Sequence, residues 1–275
     1  DPNKRLLALR PDGSVLFRGA EVSMPTGIRA GCYAISVYDV EGDGSPEILA
    51  GFEAFDAQGN RRFGVPSEHL GSIVAADLTG CVAPIAADLT GDGLLEMLFG
   101  HMTLLPDGKP LWRHGLGDKP SIPLVANLDA DPELEVVLTS PTVLYVLEAD
   151  GSERATLTRS CGGNVPPVHD FNGDGIDELA LPDCDSKRVT IYQLQDKALV
   201  PRWSADNVVG AVGTSSVAAF DFHGSGTGDL LYADSQVSAL YAGSDGRMIF
   251  EGVRLGLLPI TGTPVVADVD NDGAA

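Results

Sequence analysis

Short apolar runs alternate with glycine-centred turns along the whole chain, and this pattern predicts strands joined by hairpins. Asp-Gly between two apolar runs is a strong hairpin signal because glycine tolerates positive φ in a tight turn. The longest stretch without glycine or proline, residues 183–200, leaves little room for long helices. An all-β chain is therefore predicted, with hairpins in LLALRPDGSVLFRG, FEAFDAQGNRRFG, MTLLPDGKPLWRHG, VLYVLEADGSERATL, TIYQLQDKALVPRW and ALYAGSDGRMIFEG.

A second pattern recurs in phase with these hairpins. It consists of an apolar run, an acidic segment of the form D-x-[D/N]-x-D-G-x-x-[D/E], and a second apolar run. Successive copies, some of them degenerate, start 39 to 51 residues apart. Each unit therefore contains about four strands in about 46 residues, which is the size of a β-propeller blade. The six copies start at Asp39, Asp88, Asn127, Asp170, Asp221 and Asp268.

These units predict an all-β fold, a β-propeller of about six or seven four-stranded blades, as a single domain over residues 1–275. The acidic loops would lie between the first and second strands of each blade. The chain opens with a hairpin and closes with an acidic loop, so its two ends could complete one blade together. The strand that should follow Gly273 is not in the sequence, so the terminal blade is incomplete and we expect either residues beyond 275 or a longer ring of seven or more blades. The rival architecture is an array of calcium-binding hairpins or a β-solenoid, but the variable spacing disfavours a solenoid.

The acidic loops predict calcium sites. Side chains at loop positions 1, 3 and 5 alternate with other residues and converge on one cation, while glycine at position 6 permits a sharp turn and a carboxylate at position 9 closes the far side. Oxygen ligands at this density suit Ca²⁺ better than Mg²⁺ or Zn²⁺. Strand flanks and the lack of Glu at position 12 exclude an EF-hand. We expect about four or five structural Ca²⁺ ions.

The six loops offer unequal ligand sets, to which position 7 contributes its backbone carbonyl. The fourth loop is the cleanest copy. Pro132 replaces the glycine of the third loop and predicts altered geometry there, whereas His223 and Ser225 replace ligands in the fifth loop and predict a weak or empty site. The predicted metal ligands are Asp39, Glu41, Asp43, Ser45, Glu47, Asp88, Thr90, Asp92, Leu94, Glu96, Asn127, Asp129, Asp131, Glu133, Glu135, Asp170, Asn172, Asp174, Ile176, Glu178, Asp221, Asp229, Asp268, Asp270, Asp272 and Ala274.

The charge balance agrees with cation binding. Asp and Glu number 39 against 18 Lys and Arg, which gives a formal net charge of -21. Such a surface repels phosphate backbones and anionic membranes, so nucleic acid and bilayer partners are disfavoured. No apolar run is long enough to span a membrane, and the sequence opens without a start Met or a signal peptide, as expected for a mature or excerpted chain. Clustered carboxylates repel one another without cations, so we expect the metal to contribute to folding.

Four cysteines accompany the loops. Cys161 and Cys184 flank the fourth loop and would lie roughly opposite each other on a hairpin, so a disulfide between them is the favoured prediction. Cys32 and Cys81 each stand seven residues before a loop, at equivalent positions of neighbouring units, and form a second candidate pair. Disulfides would fit an oxidising compartment. The alternative is four buried free thiols.

The units resemble FG-GAP and VCBS repeats, the calcium-binding blades of the integrin α-subunit propeller and of many secreted bacterial proteins. The segment DFNGDGIDE at 170–178, followed by LAL, is the closest match, and the resemblance covers nearly the whole chain. The literal word GAP is absent and FG occurs only at 63–64 and 99–100, which places the chain nearer the VCBS-like branch. The resemblance implies a secreted or cell-surface propeller used in adhesion or in binding a protein or carbohydrate ligand, with calcium as a structural ion.

Motifs of catalysis are lacking in the sequence. It contains no G-x-S-x-G, no Walker A motif and no G-x-G-x-x-G, and its five histidines show no metal-ligand spacing. We therefore predict a binding module without catalytic residues. The main alternative is a calcium-dependent polysaccharide lyase or another carbohydrate-active enzyme on the same scaffold, and a structural spacer is the third possibility.

Overall fold

The computed structural model describes residues 5–23, 34–66, 83–115, 121–140, 142–158, 165–183, 188–206, 216–233 and 238–252. By their contacts the residues group into two compact units. The first comprises Asp1–Val125 with Glu133–Glu153, and the second comprises Ala126–Pro132 with Arg154–Ala275. The sixth acidic loop and all four cysteines fall outside the described residues, so the metal ligands from Asp268 to Ala274 and the disulfides stay predictions.

The described residues form 22 strands and no helix. The strands are short, as expected for a chain punctuated by glycine and proline. They are β1 (Arg5–Leu9), β2 (Val15–Glu21), β3 (Ile35–Tyr38), β4 (Glu47–Ala50), β5 (Glu53–Phe55), β6 (Arg61–Gly64), β7 (Ile85–Ala87), β8 (Glu96–Phe99), β9 (Met102–Leu104), β10 (Pro110–Arg113), β11 (Ile122–Ala126), β12 (Glu135–Thr139), β13 (Val143–Leu147), β14 (Glu153–Thr158), β15 (Val168–His169), β16 (Glu178–Asp183), β17 (Arg188–Gln195), β18 (Ala198–Asp206), β19 (Ser216–Phe220), β20 (Asp229–Ala233), β21 (Ser238–Tyr241) and β22 (Met248–Gly252).

These strands form sheets in which sequence neighbours pair. Over the described ranges there are five four-stranded sheets, β3 to β6, β7 to β10, β11 to β14, β15 to β18 and β19 to β22, and one two-stranded sheet, β1 with β2. The paired strands run antiparallel, for example with Val37 opposite Ile48 and Leu231 opposite Leu240. The predicted all-β class and the four-strand repeat are therefore confirmed. The number of blades and the single-domain organisation stay predictions.

The middle strands of each sheet supply most of the core. β8 and β12 are buried along their whole length, whereas the fourth strands β6 and β10 are partly exposed. In the first unit Leu49, Met97 and Phe99 share one apolar cluster. In the second unit Phe171 and Tyr232 belong to another. Continuous apolar runs thus mark the second and third strands, since both of their faces are covered.

Fourth strands also carry an aromatic residue that packs on the hairpin turn of the next sheet in the same unit. A Cβ atom placed on Gly108 would lie 2.6 Å from the Phe63 ring, and one on Gly151 would lie 2.7 Å from the Trp112 indole. The indole N–H of Trp112 also donates to the carbonyl of Ala149 at 2.9 Å. Glycine is required at such turns both by its positive φ and by the ring above it. These contacts hold neighbouring sheets of one unit together.

Candidate metal centres

Every described acidic loop lies between the first and second strands of a four-stranded sheet, as predicted. Four loops share a hydrogen-bond skeleton that begins with the aspartate at position 1. In the fourth loop, Asp170 Oδ1 accepts the N–H of Gly173 at 2.6 Å and Asp170 Oδ2 accepts the N–H of Gly175 at 2.8 Å. The position 1 aspartates of the first, second and fifth loops accept the N–H of position 6 at 2.8 to 2.9 Å.

The glycines at position 6 of these four loops have φ between +81° and +87°, which confirms the predicted sharp turn. Such a φ favours glycine because other L-residues rarely adopt it. The turn aims several N–H groups at the position 1 carboxylate. Burial alone would raise the pKa of Asp170, but its four backbone N–H donors outweigh burial and lower the pKa. In the fourth loop the Asp170 carboxylate therefore favours its ionised form and organises the turn.

The carboxylate at position 9 is the first residue of the second strand and is at most 4% exposed in the five described loops. In the first, second, fourth and fifth loops one of its oxygens accepts the N–H of position 2, at 2.8 to 3.1 Å. Burial, followed by the nearby aspartates of the same loop, raises the pKa of Glu96 and of Glu178. A buried carboxylate in this setting favours either a proton or a cation.

The aspartates at position 5 lie at the exposed tips of the first, second and fourth loops. Each accepts the N–H of position 7, at 2.7 to 3.0 Å. The three loops therefore present carboxylates at positions 1, 5 and 9 on one common backbone geometry. What distinguishes one loop from another is the side chain at position 3 and its partner.

In the first loop an arginine reaches the acidic side chains. Arg62, on β6, places Nη2 2.7 Å from Glu41 Oε1 and Nη1 2.9 Å from Glu47 Oε1. Nη1 also donates to Glu41 Oε2 at 3.1 Å. The hydrogen bond to Glu41 is the main cause of a raised Arg62 pKa. Two predicted calcium ligands, at positions 3 and 9, are thus bound by one guanidinium group.

The third loop brings predicted ligands together despite Pro132. Ligand oxygens of Asp129, Asp131 and Glu135 lie within 4.8 Å of one another, the one such acidic or histidine group found in the described ranges. Asn127 Oδ1, at position 1, is buried and makes no hydrogen bond. An all-oxygen donor set with a free buried carbonyl fits Ca²⁺. The loop also receives an arginine, since Arg154 Nη2 lies 3.1 Å from Asp129 Oδ2.

The second and fourth loops differ from these two, because no ion pair from Lys, Arg or His reaches them within the described part of the chain. Position 3 is neutral in both loops. The Asn172 amide donates to Glu178 Oε1, and Thr90 Oγ1 lies 3.5 Å from Glu96 Oε1. The three carboxylates at positions 1, 5 and 9 of each loop therefore remain without a cationic side chain. A divalent cation would complete the charge balance of such a loop.

The fifth loop is closed by its own polar side chains. His223 Nδ1 lies 2.7 Å from Asp229 Oδ2, and Ser225 Oγ lies 2.9 Å from Thr227 Oγ1. Only Asp221 and Asp229 carry charge among its predicted ligands. The prediction of a weak or empty site is consistent with this arrangement and stays a prediction. Calcium occupancy of each loop is likewise a prediction.

Sequence reasoning missed the arginines. Arg62 and Arg154 each stand three residues after the turn glycine of a hairpin, Gly59 and Gly151 respectively. Their shared spacing from the turn glycine could have been found in the sequence, although Arg62 precedes Phe63 and Arg154 precedes Ala155. The meaning of this spacing depends on strand register, which brings the fourth strand beside the acidic loop.

Neither a family model nor a curated protein sequence matches the chain. Its fold is similar to that of Bap1, a biofilm matrix protein of V. cholerae, with 16% identity and a TM-score of 0.66 over 94% of this chain and 67% of that chain. It is also similar to BamB from Moraxella catarrhalis, with 13% identity and a TM-score of 0.52 over 91% of this chain and 68% of that chain. These two similarities indicate that the fold is β-propeller-like. Among the described residues no helix has the length and apolarity to cross a membrane.

Proposed function

We propose that this chain is an extracellular calcium-binding β-propeller module that binds a protein or carbohydrate ligand in adhesion. The observation that carries the proposal is the recurrence of one hydrogen-bonded acidic loop between the first and second strands of successive sheets. The single-domain organisation, the Cys161–Cys184 bridge and the Cys32–Cys81 bridge belong to the same proposal. So does membership in the FG-GAP and VCBS repeat class.

Calcium is supported by donor chemistry and charge. The converging oxygens of the third loop and the uncompensated carboxylates of the second and fourth loops are hard ligands of the kind that Ca²⁺ prefers. The chain as a whole carries a net charge of -21, which bound cations would reduce. The Ca²⁺ ions would stabilise the folded state by binding it in preference to the unfolded chain.

An extracellular setting and an adhesive role are supported by the likeness to Bap1, whose name describes a biofilm matrix protein. The acidic surface suits a soluble extracellular module and disfavours nucleic acid and membrane partners. With nucleic acid and membranes disfavoured, we propose a protein or a carbohydrate as the ligand.

Calcium binding is tested by thermal unfolding of the whole chain with excess Ca²⁺ and with EDTA, together with a count of bound calcium after dialysis. We expect a large, reversible rise of the melting temperature with Ca²⁺ and several ions per chain. Mg²⁺ at the same concentration is the control and should give a smaller rise. If the melting temperature is the same with Ca²⁺ and with EDTA, and no calcium is bound, the acidic loops are turns without metal sites. That result would overturn the calcium part of the proposal.

The ligand is tested on immobilised neutral and acidic polysaccharides and on extracted matrix proteins, each with Ca²⁺ and with EDTA. We expect retention on one of these surfaces that weakens when EDTA unfolds the loops. The same incubations, followed by ultraviolet absorbance, detect the unsaturated sugar that a lyase releases. Accumulation of that product would replace the binding proposal with the enzymatic alternative.

A further inference from the structure

In two sheets, one position of the fourth strand faces the acidic loop of the same sheet. Arg62 occupies it in the first loop's sheet and contacts Glu41 and Glu47 at 2.7 and 2.9 Å. Arg154 occupies it in the third loop's sheet and contacts Asp129 at 3.1 Å. Both arginines therefore pair with the acidic residue at loop position 3.

In the five described loops, a contact from this strand position to the loop accompanies an acidic residue at loop position 3. Loops two and five have the neutral Thr90 and the histidine His223 at position 3, and their strand residues are Leu111 and Ile249. Position 3 of the fourth loop is the neutral Asn172. Arg202 lies at the register shift of its strand, as Arg62 does, and it is exposed and donates to Gln193 Oε1 at 2.9 Å rather than to a loop carboxylate. Arginine thus contacts the loop where the loop carries an additional acid.

We infer that Arg62 is the built-in cation of the first loop and excludes Ca²⁺ from it. Its guanidinium group binds the carboxylates of positions 3 and 9, two of the oxygens that a calcium ion would need. Glu47 is only 4% exposed, so a water shell cannot replace this partner. The inference deepens the proposed function, on which it rests, by naming which loop is independent of calcium.

Removal of the arginine should convert the first loop into a calcium site. Without Arg62 the loop keeps Asp39, Glu41, Asp43 and Glu47 with no cation between them. Four carboxylates on a preformed turn favour strong Ca²⁺ binding. The charge that excluded the ion is then gone, and the repulsion among the acids adds to the driving force.

The test counts calcium bound per chain after dialysis, for the wild type, Arg62→Met, Arg62→Lys and the matched control Arg202→Met. We expect Arg62→Met to bind one ion more than wild type, and Arg62→Lys and Arg202→Met to bind the wild-type number. Arg202 is the right control because it holds the equivalent strand position without touching a loop carboxylate. An Arg62→Met count equal to the wild type would overturn the inference.

A second variant covers the case in which Arg62→Met does not fold. Glu41→Gln removes a ligand from the first loop while Arg62 keeps its contact with Glu47. If Arg62 excludes calcium, this variant binds the wild-type number of ions; the loss of one ion overturns the inference. A wild type that binds no calcium refutes the proposed function instead, and one ion gained by Arg62→Met would still support the role of Arg62.

Discussion

The first and fourth acidic loops have the same backbone and opposite ways of balancing charge. In both, the position 1 aspartate accepts the N–H of the position 6 glycine, at 2.9 Å for Asp39 and 2.8 Å for Asp170. In both, the position 9 carboxylate is buried and accepts the N–H of position 2. The first loop then binds Arg62, whereas the fourth loop has the neutral Asn172 and no ion pair within the described residues.

This difference teaches that the turn and the metal site are separable properties of one sequence motif. The hydrogen bonds of the turn are made by backbone N–H groups and need no ion. The demand for a cation comes from the carboxylates that these bonds leave uncompensated. A match to the motif therefore predicts the turn, while the side chains that approach from other strands decide whether the loop needs calcium.

The largest expected change in the free energy of unfolding comes from replacing the position 9 carboxylate of the first or fourth loop with an amide. In EDTA, Glu47→Gln should lower the free energy of unfolding by about 2 kcal/mol, because Arg62 loses a buried partner. Glu178→Gln should change it by less than about 1 kcal/mol, because the amide still accepts the Phe171 N–H and a buried charge is removed. Urea unfolding of both variants in EDTA measures these values.

In the presence of Ca²⁺, Glu178→Gln should become the more destabilised of the two variants. Glu178→Gln loses a calcium ligand, so its calcium-dependent stabilisation falls below that of the wild type by about 1 to 3 kcal/mol. Glu47→Gln keeps the wild-type calcium response, since Arg62 already excludes the ion from its loop. Equal calcium-dependent stabilisation of the two variants would contradict the proposal that the fourth loop binds calcium and the first does not.

Removal of the position 1 aspartate should cause the next largest loss of stability. Asp39→Ala and Asp170→Ala each remove the acceptor of several backbone N–H groups, and each should cost about 1 to 2 kcal/mol in EDTA. The cost should be larger for Asp170, which accepts four backbone N–H groups, than for Asp39, which accepts two. Asp→Asn at the same positions keeps one acceptor oxygen and should recover part of the loss. A cost confined to one loop would show that the turns are not equivalent.

The turn was predictable from sequence because it is local. Aspartate at position 1 and glycine at position 6 are five residues apart, so their spacing alone fixes the bonds between Asp170 and Gly175. The strands on either side follow from their apolar runs in the same way. Even the third loop brings its acids together, although Pro132 replaces the glycine.

The arginine contact was not predictable, because it depends on the register of strands that are distant from the loop in sequence. Arg62 reaches Glu41 across 21 residues, through the pairing of β4 with β5 and of β5 with β6. The second of these pairings contains a register shift at Ala54 and Phe55. A shift of one residue turns a strand side chain to the other face of its sheet. Composition and spacing carry no information about such a shift.

A smaller effect tests whether the turn glycines are equivalent. Gly44 and Gly175 have φ of +84° and +85°, and no atom lies within 4 Å of a Cβ placed on either. Alanine at each position should therefore cost about 1 kcal/mol from backbone strain alone. Asparagine, which tolerates this region better, should cost less. Urea unfolding in EDTA gives both numbers, and a clearly larger cost in one loop would point to a contact beyond the turn.

The smallest effect is a pH dependence that belongs to the fourth loop. Burial, followed by Asp174 and Asp170, raises the pKa of Glu178 above its ordinary value of 4.5. A carboxyl with a raised pKa in the folded state contributes stability that is complete below the ordinary value and is lost as the pH rises through the folded-state pKa. Mild acidification from neutral pH should therefore favour the calcium-free loop, whereas added Ca²⁺ should remove the gain because it needs the ionised carboxylate.

The measurement is the melting temperature in EDTA between about pH 7 and pH 5, for the wild type and for Glu178→Gln. Other groups titrate in this range, so the difference between the two curves isolates Glu178. That difference should change in favour of the wild type as the pH falls, since only the wild type gains a proton at this site. Curves that stay parallel would mean that Glu178 is already balanced without an ion, and the fourth loop would then resemble the first in having no need of calcium.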